Sequence, residues 1–155
     1  MNPAQDILAK ANELHLDGKI NEAIELYKES IRLSPSADAY TYLAWALSSQ
    51  GKYEEAIEEC QKAITINDTY WAAYNDIGTN LYNMEKLSES VFWFEKGLEF
   101  TPDELRYIGY YNLGRTYEKQ KLWMDAIQYY MESFNNNPEY ELAKGGIVRM
   151  STYLN

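Results

Sequence analysis

Residues 110–138 read YYNLGRTYEKQKLWMDAIQYYMESFNNNP, and their spacing decides the fold. Tyr110 is followed after two residues by Leu113-Gly114, and after two more by Tyr117. Ala126, Tyr130 and a closing Pro138 come next. Large residues at intervals of three and four mark one face of a helix. The proline marks where a second helix must stop.

The small residue of the second helix recurs at Ala23, Ala56, Ser90 and Ala126, in steps of 33, 34 and 36 residues. A period close to 34 predicts stacked helical hairpins. These residues and this period resemble the tetratricopeptide repeat family over nearly the whole chain. The resemblance implies an all-α fold: a right-handed superhelical solenoid of four antiparallel helix pairs plus a C-terminal capping helix, nine helices in one domain over 1–155. Repeats are expected at roughly 4–36, 37–69, 71–104 and 107–139, with the cap at 139–154. It also implies that the first helices line a concave groove, which the family uses to hold a peptide or helix of another protein.

Within each hairpin the turn needs a residue with positive φ. Gly18 and Gly51 supply it without a Cβ penalty. No glycine serves the last two turns, so Glu85 and Lys121 are expected to take that conformation, each at roughly 1 kcal/mol. Gly78 and Gly114 lie inside first helices, where glycine costs about 1 kcal/mol against alanine. Close approach of the second helix is the expected compensation. In the cap, Leu142, Ala143, Ile147, Met150 and Leu154 form an apolar stripe for the last repeat. Gly145-Gly146 reads either as close contact with that repeat or as a hinge.

The net charge of −10 and pI near 4.6 argue against binding duplex nucleic acid or an anionic membrane surface. They favour a basic or neutral partner, or serve solubility alone. Cys60 is the lone cysteine, no apolar run of 18 residues exists and no secretory signal is visible, so a cytoplasmic location is expected. His15 is the lone histidine, which leaves no zinc constellation. No nucleophile motif or phosphate loop is present, so neither an enzyme nor a cofactor is expected. Cys60 takes an aromatic slot of the pattern and reads as core.

The groove implied by the family would carry, among others, Leu8, Asn12 and His15 of the first repeat, with Asp38 and Thr41 of the second. The nominated contacts are Tyr42, Trp45, Asn75, Asp76, Thr79, Tyr82, Tyr111, Asn112 and Arg115. The tyrosines and Trp45 offer flat apolar area with little rotamer entropy to lose. Asn75 and Asn112 carry both donor and acceptor, suited to a peptide backbone. Arg115 suits a carboxylate. Family members that serve heat-shock chaperones clamp a C-terminal carboxylate with lysine, arginine and asparagine. Leu8, Asn12, Tyr42, Ala72 and Asp76 stand at those places here, or, one repeat on, Thr41, Trp45, Asp76, Ile108 and Asn112. Neither register supplies the cations, and Asp76 would repel a carboxylate, so no such clamp is expected.

Phe92 and Trp93 precede Phe94, which alone of the three has a slot in the core, so one of them is expected on the convex side. Trp71 and Trp123 read either as filler between hairpins or as contacts. The leading expectation is a non-enzymatic adaptor that binds a protein segment in its groove. The alternative is a scaffold that self-assembles through convex or terminal aromatics into a homo-oligomer.

Overall fold

The computed structural model describes residues 2–155. They form α1 (Pro3–Leu16), α2 (Ile20–Leu33), α3 (Ala37–Ser49), α4 (Tyr53–Ile66), α5 (Trp71–Asn83), α6 (Leu87–Leu98), α7 (Arg106–Lys119), α8 (Trp123–Asn136) and α9 (Glu141–Leu154). A single 3-10 turn, Asp103–Leu105, precedes α7. That turn accounts for the 36-residue step, because the α6–α7 connection is longer than those between earlier hairpins.

The boundaries follow from local chemistry. The Asn2 side chain accepts from the Ala4 amide with Pro3 at the first helical position, and Ser36 accepts from Ala39 at the start of α3. Ser34 ends α2 in extended backbone just before Pro35. Gly18 and Gly51 have φ of 78° and 75°. Glu85 and Lys121 have φ of 62° and 63°, so two charged residues hold the left-handed turns expected of them.

Helices pair as α1/α2, α3/α4, α5/α6 and α7/α8, and α9 lies on α8. The odd-numbered helices also touch in series, α1 to α3, α3 to α5, α5 to α7 and α7 to α9. They therefore share the inner, more closely spaced side of the stack. The small slot of each second helix is fully buried at Ala23, Ala56, Ser90 and Ala126. Ser90 satisfies its hydroxyl by donating to the Gly78 carbonyl at 2.8 Å. Four residues on lie Tyr27, Cys60, Phe94 and Tyr130, none more than 1% exposed.

Three helical glycines serve those rings. A Cβ on Gly78 would lie 2.6 Å from the Phe94 ring, and one on Gly114 would lie 2.7 Å from Tyr130. Gly146 of α9 meets the Tyr130 ring at 2.6 Å. Tyr130 is thus held by glycine on α7 and glycine on α9, so close contact accounts for Gly146.

The cap keeps Ala143, Ile147 and Met150 of the expected stripe but not its leucines. It starts at Glu141, after a turn in which Tyr140 N–H donates to the Asn137 carbonyl. Its buried face is Ala143, Gly146 and Met150, whereas Leu142 and Leu154 are 54% and 39% exposed. The contact requires a bare backbone against the Tyr130 ring, so small residues rather than leucines set the phase of α9. One large buried cluster runs from Ala11 to Leu81, and two smaller ones follow around Phe94–Leu113 and Ala126–Met150.

Lys121→Gly should raise stability by about 0.5–1 kcal/mol by relieving the left-handed backbone. Gly114→Ala should lower it by about 1–3 kcal/mol through overpacking, despite its better helix propensity. Urea unfolding of both variants against wild type measures each shift.

Candidate interaction groove

The inner face opens at its N-terminal end on Tyr27, which reaches from α2 between α1 and α3. Its hydroxyl donates to Asn12 Oδ1 at 2.7 Å and lies 3.1 Å from His15 Nδ1. Burial above all, then the neighbouring Tyr42, pushes the Tyr27 hydroxyl up to about 12. The Tyr27 ring packs on Tyr42 at 6.2 Å, and Tyr42 on Trp45 at 5.1 Å. A cavity of ≈ 310 Å³ lies here, lined by Asn12, His15, Leu16, Tyr27, Tyr42 and Trp45.

In the middle, the Trp45 indole N–H donates to Asp76 Oδ2 at 2.5 Å, joining α3 to α5. Ser48 donates to Asn80 Oδ1 in the next turn, and the Asn80 amide donates to the Asp76 carbonyl. Burial pushes the Asp76 carboxyl up to about 7, against the hydrogen bonds from Trp45 and Asn75, which pull it down. The Thr79 hydroxyl is occupied by the Asn75 carbonyl one turn back.

Toward the C-terminal end, Asn112 Nδ2 donates to Asn75 Oδ1 at 2.8 Å. Asn112 is buried, so this pair fastens α7 to α5 rather than standing open. The Arg115 guanidinium lies over the Tyr82 ring at 4.4 Å and near Tyr111 at 5.9 Å. Its Nε is buried without a hydrogen-bond partner among the described residues. Lys119 also sits over Tyr82 but is paired with Glu85 at 2.7 Å. Glu118 receives the Tyr130 hydroxyl and both Arg149 Nε and Nη2, at 3.0 and 3.1 Å. Burial works to raise the Glu118 carboxyl, but these hydrogen bonds outweigh it and hold the group below the usual carboxylate range.

The nominated residues therefore gather in two clusters, Tyr42–Trp45–Asp76 and Tyr82–Arg115–Tyr111, bridged by Asn75–Asn112. Thr41 is a correction: it is fully buried and donates to the Ala37 carbonyl, so it lies off the groove face. Tyr27 and Leu16 were missed as cavity walls. The signal for Tyr27 was its slot in the repeat, which marked the ring as core but not its hydroxyl. On the outer side Phe92 is 59% exposed and meets Trp93 edge-on, while Trp93 packs on Tyr74. Trp123 stacks on Tyr153 at 4.5 Å. Among the described residues no group of three His, Cys, Asp or Glu is placed to hold a metal, and no helix is long and apolar enough to cross a membrane.

The raised Asp76 carboxyl binds its proton more tightly in the folded chain than at its ordinary value of 3.8. The protonated form stabilises the fold fully below that value, and the gain is lost as pH rises through about 7. Wild type should therefore lose more stability between pH 5 and pH 8 than Asp76→Asn, measured by urea unfolding at both values.

Comparison with known proteins agrees with this architecture. Tetratricopeptide repeat patterns match residues 7–36 and 37–70. Small glutamine-rich tetratricopeptide repeat-containing protein 2 of Mycosarcoma maydis is 31% identical over 108 residues, 64% of this chain and 31% of that protein. The Hsp70-Hsp90 organizing protein of Triticum aestivum is 27% identical over 95 residues, 61% of this chain and 16% of that protein. The chain thus spans about a third or less of the curated relatives it matches. Among solved structures, PilF of Pseudomonas aeruginosa superposes with a TM-score of 0.88 at 20% identity, over 95% of this chain and 67% of that one. MamA superposes with a TM-score of 0.75 at 26% identity, over 89% and 75%. With the repeat period, the paired helices and the matched patterns in agreement, the chain is a member of the tetratricopeptide repeat family.

Proposed function

We propose that the chain is a non-enzymatic adaptor whose concave face binds a peptide or helical segment of another protein. The observation that carries this reading is Arg115. A buried N–H without an acceptor costs about 1–3 kcal/mol, and here it stands between two tyrosine rings on the inner side. A bound segment whose carbonyl or carboxylate draws the guanidinium out of this position gives that N–H an acceptor, while Tyr82 and Tyr111 supply the apolar contact. Tyr42, Trp45, Asp76 and Asn75 continue the same face, and Thr79 and Asn112 serve it as supports. The wheat relative is, by name, an organizer of Hsp70 and Hsp90. The carboxylate-clamp positions of this chain lack the cations such a site needs, so its partner differs from a chaperone C-terminus in kind.

A second reading, a self-assembling scaffold, is favoured by Phe92 on the convex side and by Val148 and Tyr153 on the exposed face of α9. The adaptor reading expects one sedimenting species at all concentrations. A species that grows with concentration, and is lost in Phe92→Ser, would favour the scaffold.

The adaptor reading is tested with Arg115→Gln in affinity capture from native extract. A protein held by wild type should bind the variant at least about tenfold more weakly, or ~1.4 kcal/mol. Equal retention by both would remove the groove as the site.

A further inference from the structure

We infer that the cavity between α1 and α3 is a seat for a cationic side chain, arginine or lysine, of the bound segment. The inference rests on the groove reading and specifies one of its contacts.

Tyr27 has one hydroxyl hydrogen, and it is donated to Asn12 Oδ1. His15 Nδ1, 3.1 Å from the same oxygen, must then be the donor in its own contact. A neutral imidazole protonated at Nδ1 carries its lone pair at Nε2. In its neutral form the lone histidine then offers an acceptor at Nε2, beyond the Tyr27 contact.

The remaining wall has matching chemistry. Tyr42 and Trp45 both line the cavity, their ring centroids 5.1 Å apart at a 54° tilt, and aromatic rings attract cations. The Trp45 N–H is given to Asp76 Oδ2, outside the cavity lining, which leaves the indole ring rather than its N–H to the cavity. Among the described residues no lysine or arginine lines the cavity. Leu16, 88% exposed, supplies apolar surface for the methylene stem that carries such a charge. The chain's excess of acidic groups, 24 against 14 basic ones, steers a cation inward. A purely apolar occupant would bury the His15 acceptor without a partner. At ≈ 310 Å³ the space suits one side chain rather than a large ligand.

The test follows the Trp45 indole N–H resonance of the full chain, assigned with Trp45→Phe, during titration with three blocked amino acids. These are N-acetyl-arginine methylamide, its neutral isostere N-acetyl-citrulline methylamide, and N-acetyl-norleucine methylamide. The arginine probe should shift the resonance saturably in the millimolar range, and the citrulline probe should bind at least about fivefold more weakly. His15→Phe should weaken the arginine probe about threefold or more while leaving norleucine unchanged. Citrulline or norleucine binding as tightly as arginine would overturn the cation assignment, as would no shift with any probe. Arg115 does not line this cavity. A failure here therefore leaves the Arg115→Gln capture result standing, and a failure of that capture leaves the probe titration readable.

Discussion

Everything in this solenoid depends on how closely the second helix of a hairpin can approach the first. The approach is set by a ring, or its stand-in Cys60, that needs a nearly bare backbone opposite. Gly78 and Gly114 provide it for Phe94 and Tyr130, and Gly146 provides it again for the cap. Once the rings are seated, the odd helices fall into contact with one another, and only then does a continuous inner face exist.

A second constraint is coupled to the first. Where the buried slot is tyrosine, the residue twelve positions earlier is polar and takes part in the hydroxyl's hydrogen bonding: His15 for Tyr27, Glu118 for Tyr130. Where the slot is Cys60 or Phe94, Ser48 and Tyr82 occupy that earlier position and turn to other tasks. Ser48 bonds Asn80 in the next hairpin, and Tyr82 holds Arg115. A buried hydroxyl demands a partner, so the choice of core residue writes the chemistry of the groove opposite it. The two ends of the face are polar networks tied to a core tyrosine, and its middle is free to carry aromatic and cationic contacts.

Features that depend on one residue at a fixed offset were legible in the sequence. The period, the glycine turns, the strained Glu85 and Lys121, and the close helix approach at Gly78 and Gly114 all belong to that group. What escaped were contacts between hairpins, whose partners are set by how the stack turns. Asn75 and Asn112 are 37 residues apart, and Glu118 and Arg149 are 31 apart. Neither pair follows from helical phase alone. The leucines of α9 misled for a related reason: hydrophobicity marks a stripe, but the contact there selects for absence of a side chain. Thr41 failed similarly, since helical phase alone did not show that it would be enclosed.

The division of the core also has a mechanical consequence. The single large cluster ties α1 to α5, whereas the later hairpins rest on two small clusters and carry both strained turns. In a stack whose units touch only their neighbours, resistance to opening follows local burial. The C-terminal hairpins and α9 are therefore expected to open ahead of α3–α5, taking the wall built on Arg115 with them.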